Sequence, residues 1–205
     1  MTPRKAELER KSKETQIKVS LNVDGTGKTK IKTPIGFLDH MLELFAFHGY
    51  FDLDLSVTGD THIDIHHTNE DIGIVLGKVF KKALGEEKSG IKRFGFAFVP
   101  MEATVCRCVI DINGRGFYKF NSPPNQMVQT TKNENGYTFS HMEHFMESFA
   151  HNLGATLSFT MQNSSDDLHT NLETVFKSLG LALDRATTID PRRAGQVPST
   201  KGIID

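Results

Sequence analysis

The chain has 205 residues and is short of several features that mark particular classes of protein. It contains no tryptophan and only two cysteines, Cys106 and Cys108. On one face of a strand, cysteines two positions apart are poorly placed for a disulfide with each other, which favours a reducing, cytoplasmic setting. The start, MTPRKAELERKSKET, lacks the apolar core of a secretory signal peptide. No apolar run reaches the roughly 20 residues that span a bilayer.

An excess of charge of either sign is also missing. The 24 basic and 25 acidic side chains leave a net charge of −1, so there is no basic footprint for nucleic acid or an anionic membrane. Hydrophobic residues make up 38% of the chain, as expected for a folded domain. The length allows one large domain or two small ones that share a core.

Histidine is the residue present in excess. All nine histidines fall in two regions of the chain: His40, His48, His62, His66 and His67, then His141, His144, His151 and His169. A site explains this distribution better than core packing does.

The hydrophobic periodicity predicts two similar series of elements. In the first, strands at 16–27 and 51–60 flank a helix at 36–50, and a second helix follows at 68–85. The first of these strands is predicted to enter a hairpin at Asp24-Gly25. Residues 93–121 are predicted to form two or three strands, with turns at Pro100 and Asn113-Gly114. The second series comprises a helix at 140–154, a strand at 155–162 and a helix at 168–187, followed by a loop at 190–205.

The repeated order of helix, strand and helix predicts an internal duplication. Aligning His40 with His144 places HMLELFAFH against HFMESFAHN. His66 follows 26 residues after His40, and His169 follows 25 residues after His144. We therefore expect two halves, 1–92 and 93–205, in one compact unit.

Two histidine–glutamate pairs lie at the starts of the second helices. His66 and Glu70 are four residues apart and share a helix face, and His67 lies about 100° further round. Imidazole and carboxylate together suit Zn, Fe or Mn. One such pair alone is more simply explained by a helix cap at Thr68 with half-exposed, polar histidines beside it. Because HTNLE repeats the pattern at His169 and Glu173, a two-metal site built from both halves becomes the better hypothesis.

The basic tail suggests a second kind of site. QVPSTKG combines hydroxyls, backbone donors and a lysine in a turn, which suits a phosphate. Arg93 and Arg115, at predicted strand ends, can add bidentate contacts. Each residue taken singly is more often a solvated surface residue.

These motifs together carry a family resemblance. GFLDHML, HHTNEDIGI, RFG, VPM, DINGR, ETVFKSLGLAL and PSTKG occur in this order, and the chain resembles the imidazoleglycerol-phosphate dehydratases of histidine biosynthesis over nearly its whole length.

The resemblance implies an α+β fold that is internally duplicated, with two four-stranded sheets enclosing a layer of helices (ribosomal protein S5 domain 2-like halves). It implies a homo-oligomer of 24 subunits, with two Mn²⁺ ions in each site at subunit contacts. The implied reaction removes water from D-erythro-imidazole-glycerol phosphate to give imidazole-acetol phosphate. Two cations would hold the substrate ring as an imidazolate, which can expel the hydroxyl group, while a carboxylate moves protons.

The resemblance also implies a role for each matching residue. The implied metal ligands are His40, His66, His67, Glu70, His144, His169 and Glu173. The implied catalytic carboxylates are Glu14, Glu70 and Glu173, with Glu14 the candidate for acid–base work. The implied substrate contacts are Glu14, His48, Arg93, Arg115, Ser199, Thr200 and Lys201.

The sequence departs from the family pattern at three positions. In the register fixed by ETVFK, Thr170 stands where the family's second motif has its second His. In an alternative register, which pairs the HTN of the second motif with the HTN of the first, Leu168 stands at the position of the first His. Ala103 replaces an acidic residue, and Ser158 replaces a His. We therefore expect one of the two metals to bind more weakly. Two alternatives stay open: a family member with reduced or altered activity, and a metal-binding structural oligomer.

Overall fold

The structure is a computed structural model that describes residues 4–85, 88–122, 133–193 and 195–204. The first half supplies β1 (Lys5–Lys11), β2 (Thr15–Asn22), β3 (Thr29–Lys32), α1 (Gly36–His48), β4 (Asp52–Gly59) and α2 (His66–Leu84). The second half supplies β5 (Phe94–Met101), β6 (Thr104–Asp111), β7 (Phe117–Asn121), α3 (Phe139–Leu153), β8 (Thr156–Asn163) and α4 (Leu168–Thr187). A short 3₁₀ helix follows at Pro191–Arg193.

The two sheets have the same topology, which confirms the predicted duplication. The strand orders are β1-β2-β4-β3 and β5-β6-β8-β7. In each sheet the first three strands pair antiparallel, and the fourth, β3 or β7, pairs parallel to its neighbour. The predicted division after residue 92 falls between α2 and β5, and as a domain boundary it stays a prediction.

The helices lie between the two sheets. Helices α1 and α2 pack on the first sheet, α3 and α4 pack on the second, and the pairs meet as α2 against α3 and α1 against α4. The buried rings of Phe45, Phe80 and Phe149 meet edge to face at this junction, with centroids 5.8–6.3 Å apart. Such aromatic contacts add to the stability that burial alone provides. Residues from both halves therefore face each other across one shared core.

Two glycines show which residues of the two halves are equivalent. A Cβ on Gly77 of α2 would stand 2.6 Å from the carbonyl oxygen of Phe149, and one on Gly180 of α4 would stand 2.3 Å from that of Phe45. Only glycine permits these helix backbones to approach so closely. Since Phe45 and Phe149 are equivalent in the repeat, Gly77 and Gly180 are equivalent too.

This correspondence is a shift of 103 residues between α2 and α4. It matches His66 with His169 and Glu70 with Glu173. It supports the register that ETVFK fixes, and it places Thr170 at the position of His67.

The hairpin predicted at Asp24-Gly25 is wrong. β2 pairs with β1 and β4, while β3 pairs with the far side of β4. The connecting loop is held on the edge of β4 by the Asp52 carboxylate, which accepts the backbone N–H groups of Thr26 (2.8 Å) and Lys28 (3.1 Å). These bonds hold the loop beside β4, so that β3 pairs with β4 and not with β2.

Two further predictions are corrected, and one strand adds to those predicted. The turn placed at Pro100 lies at Glu102–Ala103, and Pro100 sits within edge strand β5, where a missing N–H is tolerated. Helix α2 begins at His66, so Thr68 is not its cap but a buried residue inside it. Strand β1 was not predicted, because KAELERK has only two apolar side chains at an exposed sheet edge.

Among the described residues, no helix is both long and apolar enough to cross a membrane.

Candidate metal and phosphate sites

The first cluster joins the two halves of the chain. His40 of α1 and His169 of α4 each place Nε2 3.0 Å from Oε1 of Glu173. The ligand atoms of these three residues all lie within 4.8 Å of one another. His169 and Glu173 come together because they are four residues apart on one helix, whereas His40 is brought to them by the packing of α1 on α4. Two imidazoles and a carboxylate suit a transition metal such as Mn²⁺.

The ionisation of Glu173 suits a metal ligand. Burial raises the pKa of this carboxyl, but hydrogen bonds from Lys177 and His40 outweigh burial and lower the pKa to about 2. The Lys177 Nζ lies 2.5 Å from Oε2 and 3.6 Å from the sulfur of Met101. Oε1 is thus directed at the two imidazoles. Lys177 is not among the site residues predicted from the sequence, although its position four residues after Glu173 is a signal for such a pair.

Thr170 belongs to the N-terminal cap of α4. The Asp167 carboxylate accepts the backbone N–H groups of His169 and Thr170, and Oδ2 also accepts the Thr170 hydroxyl at 2.6 Å. The Thr170 hydroxyl, together with these N–H groups, lowers the pKa of Asp167 against the opposing effect of burial. Thr170 is buried. Its hydroxyl is therefore engaged in capping and is not offered to an ion.

The second cluster mirrors the first. His66 of α2 and His144 of α3 place their Nδ1 atoms 3.0 Å apart. His66 Nε2 lies 3.8 Å from the carboxylate of Glu70. This cluster is more open than the first, since the Glu70 side chain is 45% exposed and that of Glu173 is 10% exposed. Here too one helix from each half contributes.

His67 and Glu14 lie together but outside the two clusters. His67 Nδ1 is 3.9 Å from Oε2 of Glu14, which stands in the turn between β1 and β2. Both side chains are about half exposed, at 54% and 52%. Within the described residues, the three-ligand cluster does not include His67.

His48 is the last residue of α1 and is half-buried. Burial and the ammonium of Lys177 lower its pKa, while Glu173 opposes them. The charges of Lys177 and Glu173, at the first cluster, therefore act on His48.

The predicted phosphate residues converge on one pocket. Arg93, Arg115, Ser199, Thr200 and Lys201 all line a cavity of about 410 Å³. Its cations and hydroxyls suit a phosphate.

Arg93 also binds other residues around this pocket. Its guanidinium holds both carboxylate oxygens of Asp111, at 2.6 and 3.0 Å, and the carbonyl oxygen of Pro198, at 3.1 Å. It therefore ties the C-terminal tail to the second sheet. Arg115 and Lys201, by contrast, are exposed.

The pocket lies far from both clusters within one chain. The Arg93 N–H donates to the carbonyl of Ala186, which follows Glu173 by 13 residues on α4, about 20 Å at the helical rise. The Gly114 N–H donates to the carbonyl of Gly154, which follows His144 by ten residues, about 15 Å. Each cluster thus stands at the opposite end of its helix from this cationic pocket.

The fold and these groups define a class of protein: a duplicated α+β protein with paired His/Glu clusters that fit metal ions and a separate cationic pocket. The family model of imidazoleglycerol-phosphate dehydratase matches residues 33–183. The chain belongs to this family. Its reaction is the dehydration of D-erythro-imidazole-glycerol phosphate to imidazole-acetol phosphate in histidine biosynthesis, so it is a hydro-lyase.

Relatives match over essentially full length. The imidazoleglycerol-phosphate dehydratase of Thermoanaerobacter pseudethanolicus is 48% identical over 202 residues, covering 98% of this chain and 100% of the relative. That of Pseudomonas fluorescens is 43% identical over 204 residues, covering 100% of both. The crystal structure of the imidazoleglycerol-phosphate dehydratase from Pyrococcus furiosus matches this chain with a TM-score of 0.78 at 34% identity, covering 96% of this chain and 99% of that one. The Staphylococcus aureus structure has a TM-score of 0.77 at 29% identity, covering 91% and 99%.

Proposed function

We propose that the chain carries out this dehydration at sites that hold two Mn²⁺ ions and are formed between copies of the chain. The observation that carries the proposal is the first cluster, where two imidazole nitrogens from different helices meet one oxygen of Glu173 at 3.0 Å. An arrangement of this kind, around a carboxyl whose pKa is about 2, fits a cation.

The residues assigned to the metals follow from the two clusters. His40, His169 and Glu173 would hold one ion, and His66, Glu70 and His144 the other. When bound, the ions supply Lewis-acid stabilisation of the deprotonated substrate ring.

We assign acid–base work to Glu14. A general acid or base must reach the proton that it transfers, and Glu14 Oε2 is exposed beside His67. Glu173 serves less well, since a carboxyl with a pKa of about 2 is ionised near neutral pH and both its oxygens have partners. Glu70 acts in this proposal as a ligand.

The separation of pocket and clusters supports sites between copies. Bond lengths of about 1.5 Å keep the substrate's phosphate within about 10 Å of its ring, whereas the pocket is about 15–20 Å from the clusters along the helices of one chain. The substrate phosphate would therefore bind in one copy and its ring at the clusters of another. His67, exposed on the surface, would be a ligand to an ion of a neighbouring copy. We propose 24 copies per assembly.

The second ion would be the weaker one. By the 103-residue correspondence, Thr170 is the counterpart of His67, and its hydroxyl is bound to Asp167. His67 would give the first cluster of a neighbouring copy a fourth protein ligand. Thr170, its counterpart, would give the second cluster of a neighbouring copy no ligand.

Mixed assemblies test whether the sites lie between copies. Glu173→Gln disables the first cluster, and the double variant Arg115→Met, Lys201→Met disables the pocket. If sites form between copies, co-expression of the two inactive chains restores turnover, because some sites pair an intact cluster with an intact pocket. Mixed assemblies without activity would refute the proposal, because within-chain sites would all carry one lesion.

The assay also separates the alternatives raised by Thr170. Turnover of imidazole-glycerol phosphate with added Mn²⁺ is expected, and no product at saturating metal would favour a member with altered activity or a structural oligomer. Placement in the cytoplasm is supported by the free, buried thiols of Cys106 and Cys108.

A further inference from the structure

The turn that carries Glu14 is anchored to α2 by a buried polar pair. Thr15, at the start of β2, and Asp71, on α2, are 4% and 8% exposed. The Thr15 hydroxyl donates to Asp71 Oδ2 at 2.6 Å. The Arg10 guanidinium binds the same carboxylate oxygen and lies 3.2 Å from the Thr15 hydroxyl. A buried carboxylate is stable here because both a cation and a hydroxyl satisfy it.

The backbone on both sides of Glu14 is held as well. The Ser12 hydroxyl accepts the N–H groups of Glu14 (3.1 Å) and Thr15 (3.0 Å). The Glu14 carbonyl accepts the N–H of Asp60 at 3.1 Å. The turn is therefore defined from Ser12 to Thr15, and Thr15 ties it to α2.

The anchor is attached to the helix that carries metal ligands. Asp71 directly follows Glu70, and the first turn of the same helix bears His66 and His67. Fixing Thr15 to Asp71 therefore fixes the Glu14 backbone relative to these residues. The observed result is the 3.9 Å approach of Glu14 Oε2 to His67 Nδ1, although both side chains are half exposed.

The second half supplies an internal comparison. Strand β6 also begins with a buried threonine, Thr104, whose hydroxyl donates to the side-chain oxygen of Asn171 on α4 at 3.1 Å. The residue before Thr104 is Ala103, which has no functional group. At the α4 position that corresponds to Asp71 stands Thr174, which bonds only within its own helix in the contacts described. The charged anchor occurs in the half that has a carboxylate directly before the buried threonine, whereas the turn of the second half has its carboxylate, Glu102, one residue earlier.

We propose that Thr15 and Asp71 are positioning residues that hold Glu14 for proton transfer. The proposal rests on the acid–base role proposed for Glu14. Neither residue touches the reacting atoms in this scheme; their contribution is to restrict where the Glu14 carboxylate lies. A displacement of about 1 Å at a reacting group can cost on the order of 100-fold in rate.

A double-mutant cycle tests the proposal. Thr15→Val removes the linking hydroxyl at nearly constant volume, and Thr15→Ser retains it. We expect Thr15→Val to lower kcat by about 10- to 100-fold with bound metal unchanged, and Thr15→Ser to restore most of the rate. In a Glu14→Gln background, Thr15→Val should change kcat by less than about twofold, because residues that act through one another are not additive.

Thr104→Val is the matched control. It removes the equivalent buried hydroxyl from the other half, so its effect on kcat, whatever its size, should be the same with and without Glu14→Gln. An equal loss from Thr15→Val in both backgrounds would overturn the proposal. If Thr15→Val does not fold, Asp71→Asn takes its place in the same cycle, since it keeps the shape and an acceptor but removes the charge.

Hydrogen exchange separates this inference from the proposed function. The amides of Glu14 and Thr15 should exchange faster in Thr15→Val than in the unmodified chain, and unchanged exchange would refute the anchoring. Wild-type turnover in Glu14→Gln would instead refute the proposed role of Glu14, and with it the positioning role. Each failure thus has its own signature.

Discussion

His66 and His144 place their Nδ1 atoms 3.0 Å apart, although 78 residues separate them in the chain. At this distance the two rings either share one proton in a hydrogen bond or turn toward a common ion. The pair belongs to the second cluster, and its equivalent in the first cluster is the approach of His169 to His40, whose ring centroids are 5.3 Å apart. The duplicated fold thus makes each His/Glu cluster from one helix of each half.

His144→Ala should remove one metal ion per chain and leave the other. The substitution takes an imidazole from the second cluster, while the first cluster draws its ligands from α1 and α4. Bound Mn²⁺ per chain, measured after dialysis, is expected to fall from two to one. His62→Ala is the control, because His62 is 82% exposed and pairs with Asp60. Loss of both ions, or of neither, would contradict two separate clusters.

Thr170→His should strengthen the metal site that we propose to be the weaker one. It supplies the imidazole that His67 has at the equivalent position, and a restored ligand should raise affinity by about tenfold or more. It also breaks the hydroxyl bond to Asp167, which should cost about 1 kcal/mol of stability. Calorimetric titration of metal-free protein measures the first effect and thermal unfolding the second.

Thr170→Val is the control for this substitution. It loses the same cap bond without adding a ligand, so stability should fall while metal affinity stays the same. Two equally tight metal sites in the unmodified chain would show that Thr170 leaves no ligand gap.

Lys177→Met should move the acid transition of the metal-free protein to higher pH. The Glu173 pKa is about 2, below its ordinary value of 4.5. A depressed carboxyl pKa gives stability that is present above the unfolded value and lost as the pH falls through the folded value. Removing the ammonium raises the folded pKa, so less stability is gained and it is lost earlier on acidification. Circular dichroism between pH 7 and about 2 follows the transition, and Lys78→Met, at an exposed position of α2, should leave it in place.

The two arginines of the pocket should differ when replaced. Arg115 is exposed, so Arg115→Met should raise KM by about 10- to 100-fold through a lost charged contact without changing thermal stability. Arg93→Met removes the guanidinium that binds Asp111 and the Pro198 carbonyl and should lower the free energy of unfolding by about 1–3 kcal/mol as well. Steady-state kinetics and thermal unfolding measure the two effects. Equal losses of stability would show that Arg115 is also a structural residue.

The sequence by itself determined the parts of the molecule that depend on local spacing. The limits of α4 agree with the prediction at 168–187, and those of α1 and α3 agree with the predictions at 36–50 and 140–154 to within about two residues. A helical period of 3.6 residues also places His169 beside Glu173. The repeated order of elements likewise predicted the duplication, because each half has to bury the same apolar faces.

Only the tertiary structure decided which distant residues meet. The turn signal at Asp24-Gly25 predicted a hairpin, whereas β3 pairs parallel with β4. Strand β1 is polar, and it forms because its backbone is hydrogen-bonded to β2. His40 reaches Glu173 across 133 residues because glycines let helix pairs pack closely. The anchoring of Glu14 through Asp71 arises in the same way, since contacts between remote segments depend on packing and not on sequence spacing.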